Sequence, residues 1–380
     1  MSKITNPTLV PELRFPEFIN SWEIKHIGKV AKNLDYKRKP ITQQERISGS
    51  TPYYGASGII DYVDGYIYDE SLLCISEDGA NLIARSYPIA FSIHGKTWVN
   101  NHAHVLKFKY SHMQTIVENY LNNISLEDYL TGMAQPKLNR AKLDIIPIPL
   151  PLDLKEQQKI ADFLSSMDDL IATNTKKLEL LKFHKKGLMQ KLFPAEGESV
   201  PELRFDRFNE SWKKRPFSKL FEIGSGKDHK HLADGDIPVY GSGGYMRSVN
   251  DYLYEGKSAC IGRKGTINKP MLLAGKFWTV DTLFYTHSFK NCIPEFVYLL
   301  FQNIDWLKLN EAGGVPSLSK VIINKIEVFI PEEDEQQRIV DCVSSLDELI
   351  KIESDKIEAL KEYKKGLMQQ LFPEIKESIA

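Results

Sequence analysis

Apolar residues return at alternating steps of four and three along Glu156 to Pro194: Ile160, Leu164, Met167, Ile171, Leu178, Leu181, Leu188 and Leu192. The same rhythm comes back along Glu335 to Pro373 with Ile339, Val343, Leu346, Ile350, Ile357, Leu360, Leu367 and Leu371. This is the seam of helices that wrap around one another. The stretches align without a gap, EQQKIADFL…KKGLMQKLFP against EQQRIVDCV…KKGLMQQLFP, so the chain contains an internal duplication. Each copy predicts one long helix, about 55–60 Å at the usual rise per residue.

Polar residues interrupt the seam at matched places, Asn174 and Glu353 near the middle and Lys185 and Lys364 near the ends. A polar seam residue costs stability and fixes register, so the two helices are expected to pair antiparallel with Asn174 near Glu353. Phe163, Leu170, Cys342 and Leu349 widen the apolar stripe beyond what a two-stranded coil needs, which points to helices of a partner protein. Asp153 and Glu156 have the spacing of a capping pair, and Pro194 and Pro373 end the helices. Gly187 and Gly366 sit in helix interiors off the seam, where glycine costs about 1 kcal/mol against alanine. They mark a local kink or the close approach of another backbone.

The duplication is wider than the helix. VPELRFPEFINSWE, from Val10 to Glu23, returns as VPELRFDRFNESWK, from Val200 to Lys213. Landmarks then follow in the same order: YGASG at Tyr54–Gly58 and YGSGG at Tyr240–Gly244, Leu73-Cys74-Ile75 and Ala259-Cys260-Ile261, Lys96-Thr97-Trp98 and Lys276-Phe277-Trp278. Short β-branched and aromatic runs broken by glycine turns read as strands, with short helices near Met113–Asn122 and Pro294–Asn303. The expected fold class is therefore mixed α+β, two similar globular α/β bodies separated by two long helices in an antiparallel coiled coil. The expected divisions are a first body at 1–152, a first helix at 153–194, a second body at 195–331, and a second helix with a tail at 332–380.

Bulk properties narrow the chemistry. The 49 Lys and Arg nearly balance the 50 Asp and Glu, giving a formal net charge of −1, so any nucleic-acid contact has to come from local patches or from a partner. Cys74, Cys260, Cys292 and Cys342 form no pair of ligand spacing and read as small hydrophobes. No run is long and apolar enough for a membrane span, and no basic-then-apolar leader opens the chain, so a cytoplasmic protein is expected.

The paired PELRF…SW openings, the YGASG and YGSGG loops, Gly132…Pro136-Lys137-Leu138 with Gly313…Pro316-Ser317-Leu318, and the EQQ…KKGLMQ…LFP helices together resemble the specificity (DNA-recognition) subunit of type I restriction-modification systems. The resemblance implies a subunit with no catalysis of its own. Its two target-recognition domains each read one half of a bipartite double-stranded DNA site, and the helices act as a spacer. It further implies two methylation subunits packing on the helices and restriction subunits joining them. The same resemblance implies that S-adenosylmethionine, ATP and magnesium are bound by those partners and that no cofactor is expected in this chain. Two similar but unlike modules match two unlike half-sites about one turn of duplex apart, roughly 34–36 Å.

Phosphate contacts position a protein on DNA, and Arg, Lys, Asn and Gln at base edges specify the sequence. In the first body the candidates are Lys37, Arg38, Lys39, Arg46, Asn100, Asn101 and His102; in the second they are Lys227, Lys230, Arg247, Arg263, Lys264 and Asn268. Against each stands the plain alternative of a solvated surface residue. Trp98 and Trp278 read as core, and Tyr54 and Tyr240 as core or turn residues. Enzyme-like strings fail. Gly224-Ser225-Gly226-Lys227 has Phe221 in place of the leading glycine of a phosphate loop and Asp228 where the metal-binding hydroxyl belongs. His102 with His104, and His229 with His231, lack third and fourth ligands, so no metal site is expected. A competing reading, a self-contained nuclease or methyltransferase with fused recognition domains, finds no motif to support it.

Overall fold

The computed structural model describes residues 9–132, 135–195 and 197–375; Glu196 of the stretch between the repeats, and the tail beyond 375, lie outside them. The chain folds as two compact units. The first gathers everything up to Thr175 together with Asp355 onward, and the second runs from Lys176 to Ser354. Each long helix is thus shared between the units.

The first unit contains β1 (Trp22–His26), β2 (Ala31–Asn33), β3 (Ser48–Gly55), β4 (Gly58–Val63), β5 (Tyr68–Asp69), β6 (Leu72–Ser76), β7 (Ala90–Ile93), β8 (Lys96–Val99), β9 (Ala103–Phe108) and β10 (Pro147–Pro151). They form sheets ordered β2-β9-β6-β7 and β4-β3-β8-β5, and a β1-β10 ribbon. The second unit repeats this with β11 (Lys213–Pro216), β12 (Glu222–Ser225), β13 (Asp234–Gly241), β14 (Gly244–Val249), β15 (Tyr254–Glu255), β16 (Ser258–Gly262), β17 (Met271–Leu273), β18 (Lys276–Thr279), β19 (Leu283–His287) and β20 (Glu327–Ile330). Its sheets run β12-β19-β16-β17 and β14-β13-β18-β15, with a β11-β20 ribbon. Even the register is kept, since Tyr53 pairs with Trp98 in parallel β3 and β8 as Val239 pairs with Trp278 in β13 and β18. The expected short helices are present at Ser111–Asn123 and Pro294–Asn303.

The long helices span Leu154–Leu192 and Glu333–Leu371. In the first unit Lys364 pairs with Asp168 at 2.5 Å, and Lys356 donates to Asn174 at 2.8 Å. Residue numbers fall on one helix as they rise on the other, so the segments run antiparallel. In the second unit Lys177 pairs with Glu353 and Lys185 with Asp347, both at 2.6 Å, which are the repeat equivalents of the first two contacts. Asn174 and Glu353, expected beside each other, therefore each take a lysine as partner within their own unit.

Of the seam residues, Ile160, Leu164, Met167, Leu192, Ile339, Val343, Ile357 and Leu371 are buried; Ile171, Leu178, Leu181, Leu188, Leu346, Ile350, Leu360 and Leu367 are half-buried. Of the widened stripe, Phe163 and Cys342 are half-buried, whereas Leu170 and Leu349 are exposed.

Each core borrows the end of the other repeat's helix. Met368, Leu371 and Phe372 complete the core of the first unit, with the Phe372 ring edge-on to Trp22 at 6.1 Å. Met189, Leu192 and Phe193 do the same in the second, where Phe193 meets Trp212 at 6.2 Å. This accounts for the GLM…LF signature, whose apolar residues plug a body they do not follow directly in sequence.

The opening arm is latched to the helix that its own body leads into. Arg14 grips buried Glu156 through two bonds, Nε to Oε1 at 2.7 Å and an Nη to Oε2 at 2.8 Å, and Trp22 Nε1 donates to the same carboxylate at 3.1 Å. Arg204 holds Glu335 with the same two distances. The PELRF and EQQ motifs are thus two halves of one charge-assisted fork. Glu156 consequently does not close a capping box, and Asp153 alone caps the helix by accepting from the Lys155 N–H at 2.8 Å. At Gly187 and Gly366 the helices continue unbroken, and an added Cβ would meet nothing within 4 Å. The close backbone approach considered for these glycines is not found among the described residues.

No helix among the described residues is long and apolar enough to cross a membrane. Cys74, Cys260 and Cys292 are buried, and burial pushes the Cys260 thiol up to about 12 and the Cys292 thiol to about 11.

Candidate nucleic-acid interface

Three loops meet at one corner of each unit, where strands end and backbone is left to pair with other loops. In the first unit the Glu77 N–H donates to the His102 carbonyl, the Glu77 carbonyl accepts from Leu138, and Gly79 N–H donates to Pro136. In the second, Arg263 donates to Thr282, accepts from Leu318, and Gly265 donates to Pro316. The two corners have one backbone and different side chains. Glu77 occupies the place of Arg263, Asp78 that of Lys264, and Lys137 that of Ser317. Sheet register adds His104 opposite Ile75, where Phe284 lies opposite Ile261.

The first corner is saturated with internal ion pairs. Arg38 bonds Glu77 at 2.6 Å and the Ala103 carbonyl at 2.8 Å. Buried His104 faces acceptors with both ring nitrogens, Asp35 Oδ2 at 2.6 Å and the Leu138 carbonyl at 2.7 Å. Burial alone would push the Asp35 carboxyl up; the His104 hydrogen bond and charge, with Asn33 and the Val105 N–H, outweigh it and hold the carboxyl below its usual range. Burial likewise opposes the low value of Glu77, and Arg38, His104 and Lys137 overcome it. Asp35, Glu77 and His104 bring ligand-type atoms within 4.8 Å of one another. Arg38 pairs with Glu77 at 2.6 Å and lies 3.5 Å from Asp35, and Lys137 pairs with the other Glu77 oxygen at 3.2 Å. The histidine expected to lack ligands thus finds two carboxylates from distant loops, and they form an ion network.

Arg38 and Asn100 are accordingly turned inward, a correction to their place among the candidates. Asn100 is buried, its side-chain oxygen accepts from the His102 N–H at 2.8 Å, and its backbone N–H donates to Tyr54 at 3.0 Å in the YGASG turn. It shapes the loop from inside. Lys37, Lys39 and Asn101 are exposed near this corner, and exposed His102 pairs with Asp78 at 2.8 Å. Arg46 lies elsewhere, on the Tyr53 ring, where it pairs with Asp61.

The second corner is open. Arg263, Lys264 and Asn268 are exposed, and no carboxylate lies within ion-pair distance of Arg263 or Lys264 among the described residues. A cleft of about 590 Å³ runs past Ser225, Arg263, Lys264, Asp281, Glu311 and Lys320. Lys227 and Lys230 are exposed on the neighbouring loop, and Arg247 pairs with Asp234 at 2.8 Å on the β13-β14 hairpin.

The two tryptophans fix the cationic loops. Trp98 Nε1 donates to the Lys39 carbonyl at 2.7 Å and Trp278 Nε1 to the Lys227 carbonyl at 2.9 Å. Trp278 is buried as expected, whereas Trp98 is only half-buried. The glycines of Gly224-Ser225-Gly226-Lys227 serve packing. A Cβ at Gly224 would fall 2.1 Å from the Tyr285 ring, and one at Gly226 would fall 1.9 Å from the Val280 carbonyl.

Two duplicated units that share a pair of long helices, with loop corners of one backbone and unlike side chains, define a protein of two similar but non-identical modules. The family model for the type I restriction modification DNA specificity domain matches twice, at residues 19–182 and 209–362, more than four-fifths of the chain, and the chain belongs to that family. It is 28% identical to the protein designated type I restriction enzyme specificity subunit S.HindORF215P in Haemophilus influenzae, over 86% of this chain and 88% of the relative. It is 25% identical to the type I restriction enzyme MjaVIII specificity subunit of Methanocaldococcus jannaschii, over 94% of this chain and 93% of that one. The fold matches a type I restriction-modification S subunit from M. genitalium, with a TM-score of 0.69 and 16% identity, over 97% of this chain and 100% of that one.

Proposed function

We propose that the chain is the non-catalytic specificity subunit of a type I restriction-modification complex, each unit reading one half of a bipartite, asymmetric double-stranded DNA site. The observation that carries this reading is the repeated corner, one backbone arrangement bearing unlike side chains in the two units. Like frames suit like tasks, and unlike side chains suit unlike half-sites. Lys37, Lys39, Asn101 and His102 are the contacts proposed for the first half. Lys227, Lys230, Arg263, Lys264 and Asn268 are those for the second. Arg46 and Arg247, each tied to one carboxylate, stand outside these two sets.

Methylation subunits, two in number, dock on the long helices, where Leu170 and Leu349 are exposed, and restriction subunits join that assembly. S-adenosylmethionine, ATP and magnesium act on those partners. The cytoplasm, where the chromosome lies, is the place of action.

The test is a pair of assays. The complex with its methylation subunit is expected to bind DNA with affinity falling steeply as salt rises, through counterion release. The purified chain alone, given magnesium, ATP and S-adenosylmethionine, is expected to show no turnover. Cleavage or methylation by the chain alone would replace this reading with the catalytic one.

A further inference from the structure

We propose that the cleft around Arg263 reads the edge of a guanine–cytosine pair, and that an arginine contact from this corner exists in the second half-site only. The proposal rests on the reading of the chain as a two-headed DNA-recognition subunit.

Arg263 has a fixed root and a free head. Its backbone N–H donates to Thr282 at 2.8 Å and its carbonyl accepts from Leu318 at 2.9 Å. The guanidinium lies over the Phe284 ring at 6.0 Å and makes one long hydrogen bond, 3.4 Å to the Asp281 carbonyl. A planar fork held on an aromatic face keeps its donors for an incoming partner. The nature of that partner follows from the rest of the lining. Asp281 and Glu311 share the cleft with Arg263 and Lys264, and Lys320 already donates to the Ile223 carbonyl at 2.6 Å. The lining thus sets cations and carboxylates side by side, a mixture suited less to a phosphate, which takes donors only, than to a partner with both acceptors and donors. A G·C pair, by contrast, offers both kinds of group in the major groove. Guanine O6 and N7 accept a bidentate arginine, and the cytosine amino group donates to a carboxylate.

The first unit has used the same position differently. Glu77 replaces Arg263 there and is bonded by Arg38 at 2.6 Å and Lys137 at 3.2 Å, while His104 replaces Phe284 and is bonded on both sides. No free cation remains at that point of the first corner among the described residues.

Sequencing of methylated adenines in cells carrying the complex, with the wild-type chain, Arg263→Ala or Arg263→Lys, tests the assignment. Arg263→Ala is expected to relax one G·C position in one half of the motif, lowering the preference for guanine by roughly 5- to 150-fold. Arg263→Lys keeps the charge without the fork and should relax the same position less. An unchanged motif, relaxation in both halves, or an even loss of methylation at every site with the motif intact overturns the proposal, the last pointing to a phosphate contact. A wild-type complex that methylates without any bipartite motif defeats the underlying reading and this assignment with it, and that is seen before any variant is made.

Discussion

Replacing Arg14 by alanine isolates the latch between the opening arm and the first long helix. Glu156 is 1% exposed and receives two bonds from Arg14, at 2.7 and 2.8 Å, and one from Trp22 at 3.1 Å. The Glu156 hydrogen bond raises the affinity of the Arg14 guanidinium for its proton, outweighing desolvation. Removing the arginine leaves a buried carboxylate with a single neutral donor. Breaking such a pair from one side costs about 3–5 kcal/mol. For a unit of this size each kcal/mol lowers the unfolding midpoint by about 2–4 °C, so the first unit should melt about 6–20 °C earlier. Calorimetry reads the midpoint, and hydrogen exchange assigns it to the first unit. The double variant Arg14→Met with Glu156→Leu should recover most of the loss, because neither charge is then stranded. A loss below about 1 kcal/mol for Arg14→Ala, or a double variant as unstable as the single one, would refute the view that the fork is buried and charge-dependent.

Further outcomes follow from the same geometry. Ile357→Glu should destabilise its unit more than Leu178→Glu, since Ile357 is 4% exposed and Leu178 half-buried; equal effects in thermal melts would contradict the seam packing. Gly226→Ala should destabilise the second unit by about 1–3 kcal/mol or more through overpacking, because its Cβ would strike the Val280 carbonyl; a neutral result by denaturant titration counts against that packing role. Asp35 and Glu77 have depressed carboxyl values, so their contribution to stability is complete above the ordinary carboxylate range and is lost as pH falls through their folded-state values. Acid titration of the first unit should therefore show loss below pH 4.5, and His104→Phe should blunt that dependence. A variant with an unchanged acid profile would remove His104 from the network.

Much of the architecture was legible because it is written twice. A heptad seam repeated at fixed spacing gives a pair of equal helices; the antiparallel sense was expected from Asn174 meeting Glu353, whereas each of these residues takes a lysine, Lys356 and Lys177, as its partner. The exchange of helix ends was not legible, since Met368 and Phe372 carry no mark saying which body they enter. The corner network was hidden for a similar reason. Asp35, Glu77 and His104 are scattered along the chain and meet only through loop closure. One signal was there to be used, because Cys74 stands three residues before Glu77 and Cys260 three before Arg263, each followed by a turn glycine. That alignment places an acid and an arginine at equivalent positions. Burial decided the rest, withdrawing Arg38 and Asn100 from a surface where charge and polarity alone had put them.

In the proposed function each body reads its own half-site independently of the other. The direct measurement is the methylated-adenine motif produced by a chain in which the second body, 200–331, is replaced by a second copy of the first, 10–152. The chain then carries two identical readers, and the expected motif has two halves with the bases of one original half-site. Retention of the original asymmetric motif by an assembled, active complex would contradict it.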